Sequence, residues 1–336
     1  MDSTLYGYAN SRIKAMENAA VDSGVFQRVL ETENLSGALK VLGETSYSSW
    51  IGDMEKESDF DKVIDRELQA CYEALSAFVP DRRLITLFRL PYDFHNIKVV
   101  LKSMFLQKKG KPRRWDLLTS LGTVAGDDLI TAIESEDYRM LPYDLGPTLS
   151  QCLSLWEQEE NLLEIERLLD EHQFATMYKI AASTELAGVM EWCRNKIDAE
   201  NIRNLLRLRR LNFDAGAAAP FLHKGGIVSV ERLQGLLSEP PDSWERLLSY
   251  ADVAKALREM EETSDLNAML LSLETALDNY LFTLLARYAY DSFAPENILR
   301  FLWRKELEAK NLRIIFVSKS NGTPVGKTKG MLRHVA

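Results

Sequence analysis

An all-α chain of three similar helical units, closed on itself as a pseudo-threefold ring or funnel, is what this sequence specifies on three grounds. The first is a short phrase that occurs three times about a hundred residues apart, the size of a small domain and not of a solenoid turn. Its copies are Asp93–Leu101, Asp198–Leu206 and Ala294–Leu302, each with Asn-Ile ahead of two apolar residues. Ile97/Val100/Leu101, Ile202/Leu205/Leu206 and Ile298/Phe301/Leu302 fall at the i, i+3, i+4 spacing of one helical face. The second ground lies upstream, where Ile165–Phe174 and Leu273–Phe282 match at apolar, Glu, Leu-Asp, aromatic and Phe positions. The third is composition: 336 residues with only 17 Gly and 10 Pro, rich in Leu, Ala, Glu, Arg and Lys, the residues that favour helices.

In chain order, Phe26, Val29 and Leu30, followed by Leu35, Leu39 and Leu42, resemble the segments after the first two phrases, Leu129/Ala132/Ile133 and Leu233/Leu236/Leu237. They look like the second half of a unit. A first complete unit spans 50–145: Ile64, Leu68, Cys71, Leu75 and Phe78 give one apolar stripe, a break follows, and a helix opens near Asn96 before Leu129, Ala132 and Ile133. The second, 146–255, repeats the order, with a helix opening at Asn201, then Leu233, Leu236 and Leu237, then Trp244, Leu247 and Leu248. The third takes 256–336 together with 1–49, because its own C-terminal half has little room and its apolar face needs the N-terminal segment for burial. Leu312–Val317 has some strand character but continues the spacing of Phe301 and Trp303, so it is assigned to helix. Asp93 and Asp198 are expected as N-caps, which puts Asn96 and Asn201 at the third helical position of a capping box, and Pro295 suits the first helical position of the third copy. Asn96, Asn201 and Asn297 are thus expected as architectural helix starts.

Chemistry-bearing motifs are scarce. Gly322-Thr323-Pro324-Val325-Gly326-Lys327-Thr328 resembles a phosphate loop, but three residues separate its glycines where that loop needs four, and Pro324 removes an N–H. A turn before a short helix holding Met331 and Leu332 is expected there. His95, His172, His223 and His334 are too scattered to place two ligands on one helical face. Asp127 and Asp128, with Glu134 beyond, stand where a helix should start and suit its positive end. No catalytic residue, metal ligand or cofactor site is assigned. Cys71, Cys152 and Cys193, odd in number and scattered, argue against a disulfide framework. No apolar run reaches the length of a membrane span, and the opening lacks the basic and apolar regions of a leader, so a cytosolic chain is expected. A net charge of −9 disfavours nucleic acid as a main partner. Against that acidity stand two basic clusters, Lys108, Lys109, Arg113 and Arg114, and Arg207, Arg209 and Arg210. Clusters of this kind are solvated faces or docking surfaces for a partner of complementary charge.

Three segments together resemble a known family: Tyr6–Glu17, Pro91–Lys98, and Glu296-Asn297 through Glu306–Val317. The chain resembles the C subunits of V/A-type ATPases and ATP synthases, the bacterial and archaeal counterparts of the eukaryotic d subunits, over essentially its whole length. That resemblance implies a funnel of three helical domains that performs no bond chemistry. It implies a peripheral place on the cytoplasmic face of the membrane, between the central-stalk subunits and the rotor-ring proteolipids, passing torque for ion transport or ATP synthesis. The alternative is a generic helical scaffold or adaptor; an all-helical enzyme using Asp127 and Asp128 with a divalent cation stands third.

Overall fold

The computed structural model describes residues 5–18, 20–261 and 263–334, and the opening Met1–Thr4 lies outside them. Among the described residues every regular element is helical. Helices α1 (Tyr6–Glu17), α2 (Ser23–Glu31), α3 (Leu35–Leu42) and α4 (Ser48–Ile51) lead to a first long pair, α5 (Phe60–Ser76) and α6 (Arg83–Lys108). Helices α7 (Gly126–Glu134) and α8 (Gly146–Glu159) precede a second pair, α9 (Leu162–Ser183) and α10 (Ala187–Arg210). Then come α11 (Ala215–Ala218), α12 (Val230–Leu237), α13 (Trp244–Leu247) and α14 (Ala254–Leu257). The third pair, α15 (Leu266–Ala286) and α16 (Glu296–Ser320), is followed by α17 (Val325–Gly330).

Two local expectations are corrected. Asn96 and Asn201 lie in the middle of α6 and α10, and only Asn297 falls in the first turn of its helix. The apolar face simply starts earlier: Leu84, Ile85, Leu87 and Phe88 in α6, and Val189 and Trp192 in α10, are all buried. Just ahead of α6, Asp81 Oδ1 accepts the N–H of its first residue, Arg83, at 3.0 Å, and the helix runs on through Pro91. Asp93 and Asp198 are therefore interior residues, not N-caps. Near the C-terminus α17 forms as expected but ends at Gly330, leaving Met331 as its cap and Leu332 beyond it. Leu312–Val317 lies inside α16, and Asp127 and Asp128 occupy the first turn of α7.

The helix after each break packs on the first helix of the following pair: α6 on α9, α10 on α15, and α16 on α5. The ion pairs show these contacts to be antiparallel. Along α6, Lys98 reaches Asp170 and Lys102 reaches Glu166; along α10, Arg203 reaches Asp278 and Arg207 reaches Glu274. On α16, Glu306 accepts the Tyr72 hydroxyl, while Arg313 pairs with Asp65 and Asp61. The last of these pairings joins the C-terminal long helix to the first, and α1, α2 and α3 also pack on α16. Where α6 and α10 meet α16, Phe88, Trp192 and Trp303 stack as one aromatic group, with ring centroids 5.2, 5.9 and 6.3 Å apart. Each of these three long helices contributes one ring to it. Such offset and edge contacts add to the burial of the rings.

Candidate partner interface

The side chains that join the long helices to their turns are set by a six-residue pattern. It reads Asp93-Phe94-His95-Asn96-Ile97-Lys98 in α6, Asp198-Ala199-Glu200-Asn201-Ile202-Arg203 in α10 and Glu308-Ala309-Lys310-Asn311-Leu312-Arg313 in α16. An acid, an Asn three residues on and a base two further recur in each. The third structural counterpart is thus Asn311, not Asn297. Asn96 donates to the Thr119 carbonyl at 2.8 Å and accepts the Thr119 N–H at 3.0 Å. Asn201 does the same with His223 at 2.8 and 2.7 Å, and Asn311 with Arg333 at 2.9 and 2.8 Å. Asn297 instead donates to the Asp291 carbonyl at 2.7 Å.

The acids follow the same logic in the first two copies. Asp93 accepts the N–H groups of Thr123 at 2.6 Å and Val124 at 3.1 Å, with hydroxyls from Thr123 and Tyr143 at 2.7 and 3.0 Å. Asp198 accepts from Ile227 at 2.9 Å and Val228 at 3.1 Å. Each carboxylate fills the place where a Cβ on Gly122 or Gly226 would stand, so glycine is required at both turns. Glu308 departs from the pattern: it takes the Tyr47 hydroxyl at 2.8 Å and the Lys305 ammonium, and its Oε2 has no partner.

Electrostatics follow from burial. The Asp198 carboxyl is pushed up to about 6 by desolvation, with the Ile227 and Val228 N–H groups and Arg194 pulling the other way. Burial likewise raises Asp93 above its ordinary value. For Asp278 desolvation also acts upward, but Lys310, Arg203, Lys196 and Arg333 outweigh it and hold the carboxyl well below the usual carboxylate range. Lys196, whose ammonium lies 4.5 Å from the centre of the Trp303 ring, is brought down to about 8 by burial and by Arg203. All three cysteines are buried and free, and burial pushes each thiol up to about 12, far from a reactive thiolate. Among the described residues no group of His, Cys, Asp and Glu could hold a metal ion.

The two predicted basic clusters lie at the C-terminal end of α6 and just beyond it, and at the C-terminal end of α10, where cations favour the negative end of the helix. Each of the seven has an internal partner. Lys108 is 3.5 Å from Glu157, while Lys109 pairs with Glu160 and lies over the Trp156 ring. Arg113 reaches Glu134 at 2.7 Å and Arg114 reaches Asp116 at 2.8 Å. Arg207 holds Glu274 at 2.7 Å, Arg209 donates to the Leu237 and Glu239 carbonyls at 3.0 and 2.7 Å, and Arg210 donates to Asn267 at 2.9 Å. These residues tie the helix ends to their neighbours while leaving part of their charge at the surface. Near the start of α16 the exposed apolar side chains Leu5, Tyr8, Tyr290 and Phe293 lie in or beside α1 and the α15–α16 turn, with the Phe293 ring against Gly7 of α1. Sequence reasoning missed this group and the bases Lys98, Arg203 and Arg313; for the bases, the recurring acid-x-x-Asn-apolar-base spacing was the signal.

No helix among the described residues is long and apolar enough to cross a membrane. A family model described as ATP synthase (C/AC39) subunit matches residues 9–331. The chain is similar to the C subunit of the V-type sodium ATPase of Enterococcus hirae, 23% identical over 332 residues and covering 98% of both chains. It is 24% identical to the C subunit of the A-type ATP synthase of Methanocaldococcus jannaschii, over 95% of this chain and 84% of that one. With the corresponding A-type ATP synthase protein of Thermococcus gammatolerans the identity is 26%, over 98% of this chain and 90% of the other.

Proposed function

Because the chain belongs to the ATP synthase (C/AC39) subunit family, we propose that it is the non-catalytic central-rotor subunit of a V/A-type rotary ATPase. In this reading it sits peripherally on the cytoplasmic face of the membrane and joins the central-stalk subunits to the rotor-ring proteolipids, passing torque for ion transport or ATP synthesis. Its three units, 50–145, 146–255, and 256–336 with 1–49, form a pseudo-threefold funnel.

The observation that carries the proposal is the repeated lock. Three long helices each bind a turn through one Asn and the next pair's helix through one base, and all three send a ring into the Phe88, Trp192 and Trp303 group. A body so closed resists twisting, since close-packed interiors transmit strain. A torque connector also needs two separate surfaces. The basic ends around Lys108, Lys109, Arg113, Arg114, Arg207, Arg209 and Arg210 offer one, and the apolar group around Tyr8, Tyr290 and Phe293 the other.

The test is ATP hydrolysis and ATP-driven ion pumping measured side by side in vesicles reconstituted with and without this chain. Pumping should collapse while hydrolysis continues. Pumping that persists without the chain would refute the connector role.

A further inference from the structure

Beside the first turn of α16 lies a cavity of about 40 Å³, lined by Asn10, Ile13 and Glu17 of α1, Asn297 and Arg300 of α16, and Ser292 of the turn between α15 and α16. Three of its lining residues each carry a buried polar atom with no protein partner: Asn10 Oδ1, Asn297 Oδ1 and Arg300 Nε. Both asparagines are more than nine-tenths buried, at 7% and 6% exposure. Their orientation is fixed by their amide groups. Asn10 Nδ2 donates to the Ser292 and Ala294 carbonyls at 2.9 and 3.0 Å, and Asn297 Nδ2 donates to the Asp291 carbonyl at 2.7 Å. Flipping either carboxamide would set its oxygen against a carbonyl oxygen, so both Oδ1 atoms stay unpaired. Arg300 is likewise committed, its Nη2 donating to Glu17 Oε1 at 2.7 Å.

We infer that this cavity is a binding site for a structural water molecule that clamps α1 to α16. The unpaired set consists of two acceptors and one N–H donor, which is the complement of a single water: two O–H groups for the carboxamide oxygens and one lone pair for Arg300. A cation is opposed by the adjacent guanidinium, and an anion by the two carboxamide oxygens. The space is sufficient, because a water needs only about 10–15 Å³ and two to four polar partners. Left without a partner, each buried group would carry its full desolvation cost. The water is thus the link that completes the contact between the N-terminal helix and the helix that opens the third copy of the Asn-Ile phrase.

A crystal structure of the full chain at a resolution that orders solvent should show one peak within hydrogen-bond reach of all three atoms. Water relaxation dispersion on the intact protein should count at least one fewer long-lived water in Asn297→Leu, which keeps the branched shape of the side chain and removes its acceptor together with the donor to Asp291. A dry cavity, an anion in that density, or an unchanged count in the variant would each overturn the inference. If Asn297→Leu fails to fold, the wild-type density decides alone.

Discussion

Asn311 holds both backbone polar groups of Arg333, donating to its carbonyl at 2.9 Å and accepting its N–H at 2.8 Å, across 22 residues of chain. One buried carboxamide thereby satisfies two backbone groups that have no helix or sheet to serve them. Asn96 and Asn201 repeat this with Thr119 and His223. The three locks are the most uniform feature of the fold.

Removing one lock leaves two backbone groups unpaired, so Asn201→Ala or Asn311→Ala should cost roughly 2–4 kcal/mol. Asn297→Ala loses one bond donated to the Asp291 carbonyl and the water proposed above, strands one backbone group where the locks strand two, and should cost about 1–2 kcal/mol. Urea unfolding of the three variants measures the order. Equal losses at Asn297 and Asn311 would contradict the assignment of Asn311 as the third counterpart.

Glycine is required at Gly226 because a Cβ there would collide with Asp198 Oδ1, and the carboxylate is held in place by two N–H groups. Gly226→Ala should therefore destabilise by about 1–3 kcal/mol through overpacking. Gly235, inside α12 with nothing near its missing Cβ, gives the opposite sign: alanine there should stabilise by up to about 1 kcal/mol through helix propensity. Thermal melts of both variants check the pair.

Asp198 also sets a pH dependence. Its folded-state pKa of about 6 lies above the ordinary carboxylate value, so the folded chain binds this proton more readily than the unfolded chain. Its ionisation weakens the fold at neutral pH, and stability from this group rises as pH falls through 6 toward 4, by a total on the order of 2 kcal/mol. Asp198→Asn removes the titration. The stability difference between wild type and variant, followed by denaturant unfolding from pH 7.5 to 4.5, should shift in favour of wild type as pH falls. A difference that stays flat would show that the turn's N–H groups dominate over burial.

Much of this architecture was legible in the sequence, because the 3.6-residue spacing of Ile64 to Phe78 and of the three Asn-Ile phrases follows directly from which faces must be buried. The helix starts were not. Asn96 and Asn201 looked like capping residues since Asp-x-x-Asn suits a helix end, yet tertiary contacts with turns 22 and 23 residues away recruit the same side chains from mid-helix. The third counterpart was misplaced for a related reason: Glu296-Asn297-Ile298 repeats Glu200-Asn201-Ile202 letter for letter, whereas Asn311 matches in the spacing of its acid and its base, and only spatial partners show which match matters. The basic clusters were found by charge alone, which says nothing of Glu134, Glu157 or Glu274, the acids that engage them.

That engagement shapes the last prediction. Arg207 is about half exposed and holds Glu274 on the neighbouring long helix, and an exposed pair of this kind contributes only about 0–1 kcal/mol. Arg203 differs, being nearly buried among Glu200, Glu274 and Asp278, so Arg203→Met should cost about 1.5–3 kcal/mol through its lost charge-assisted bonds, with Arg207, Lys310 and Arg333 still facing the three carboxylates. If the end of α10 meets a partner, Arg207→Glu should leave the melting temperature nearly unchanged while slowing association with stalk or ring subunits and weakening its salt dependence, because rim charges act mainly on the encounter. Binding kinetics at low and high salt, run beside thermal melts, separate the two residues. Association that is unchanged in Arg207→Glu, together with an intact fold, would move the partner surface away from the basic helix end and toward the apolar group at Tyr290 and Phe293.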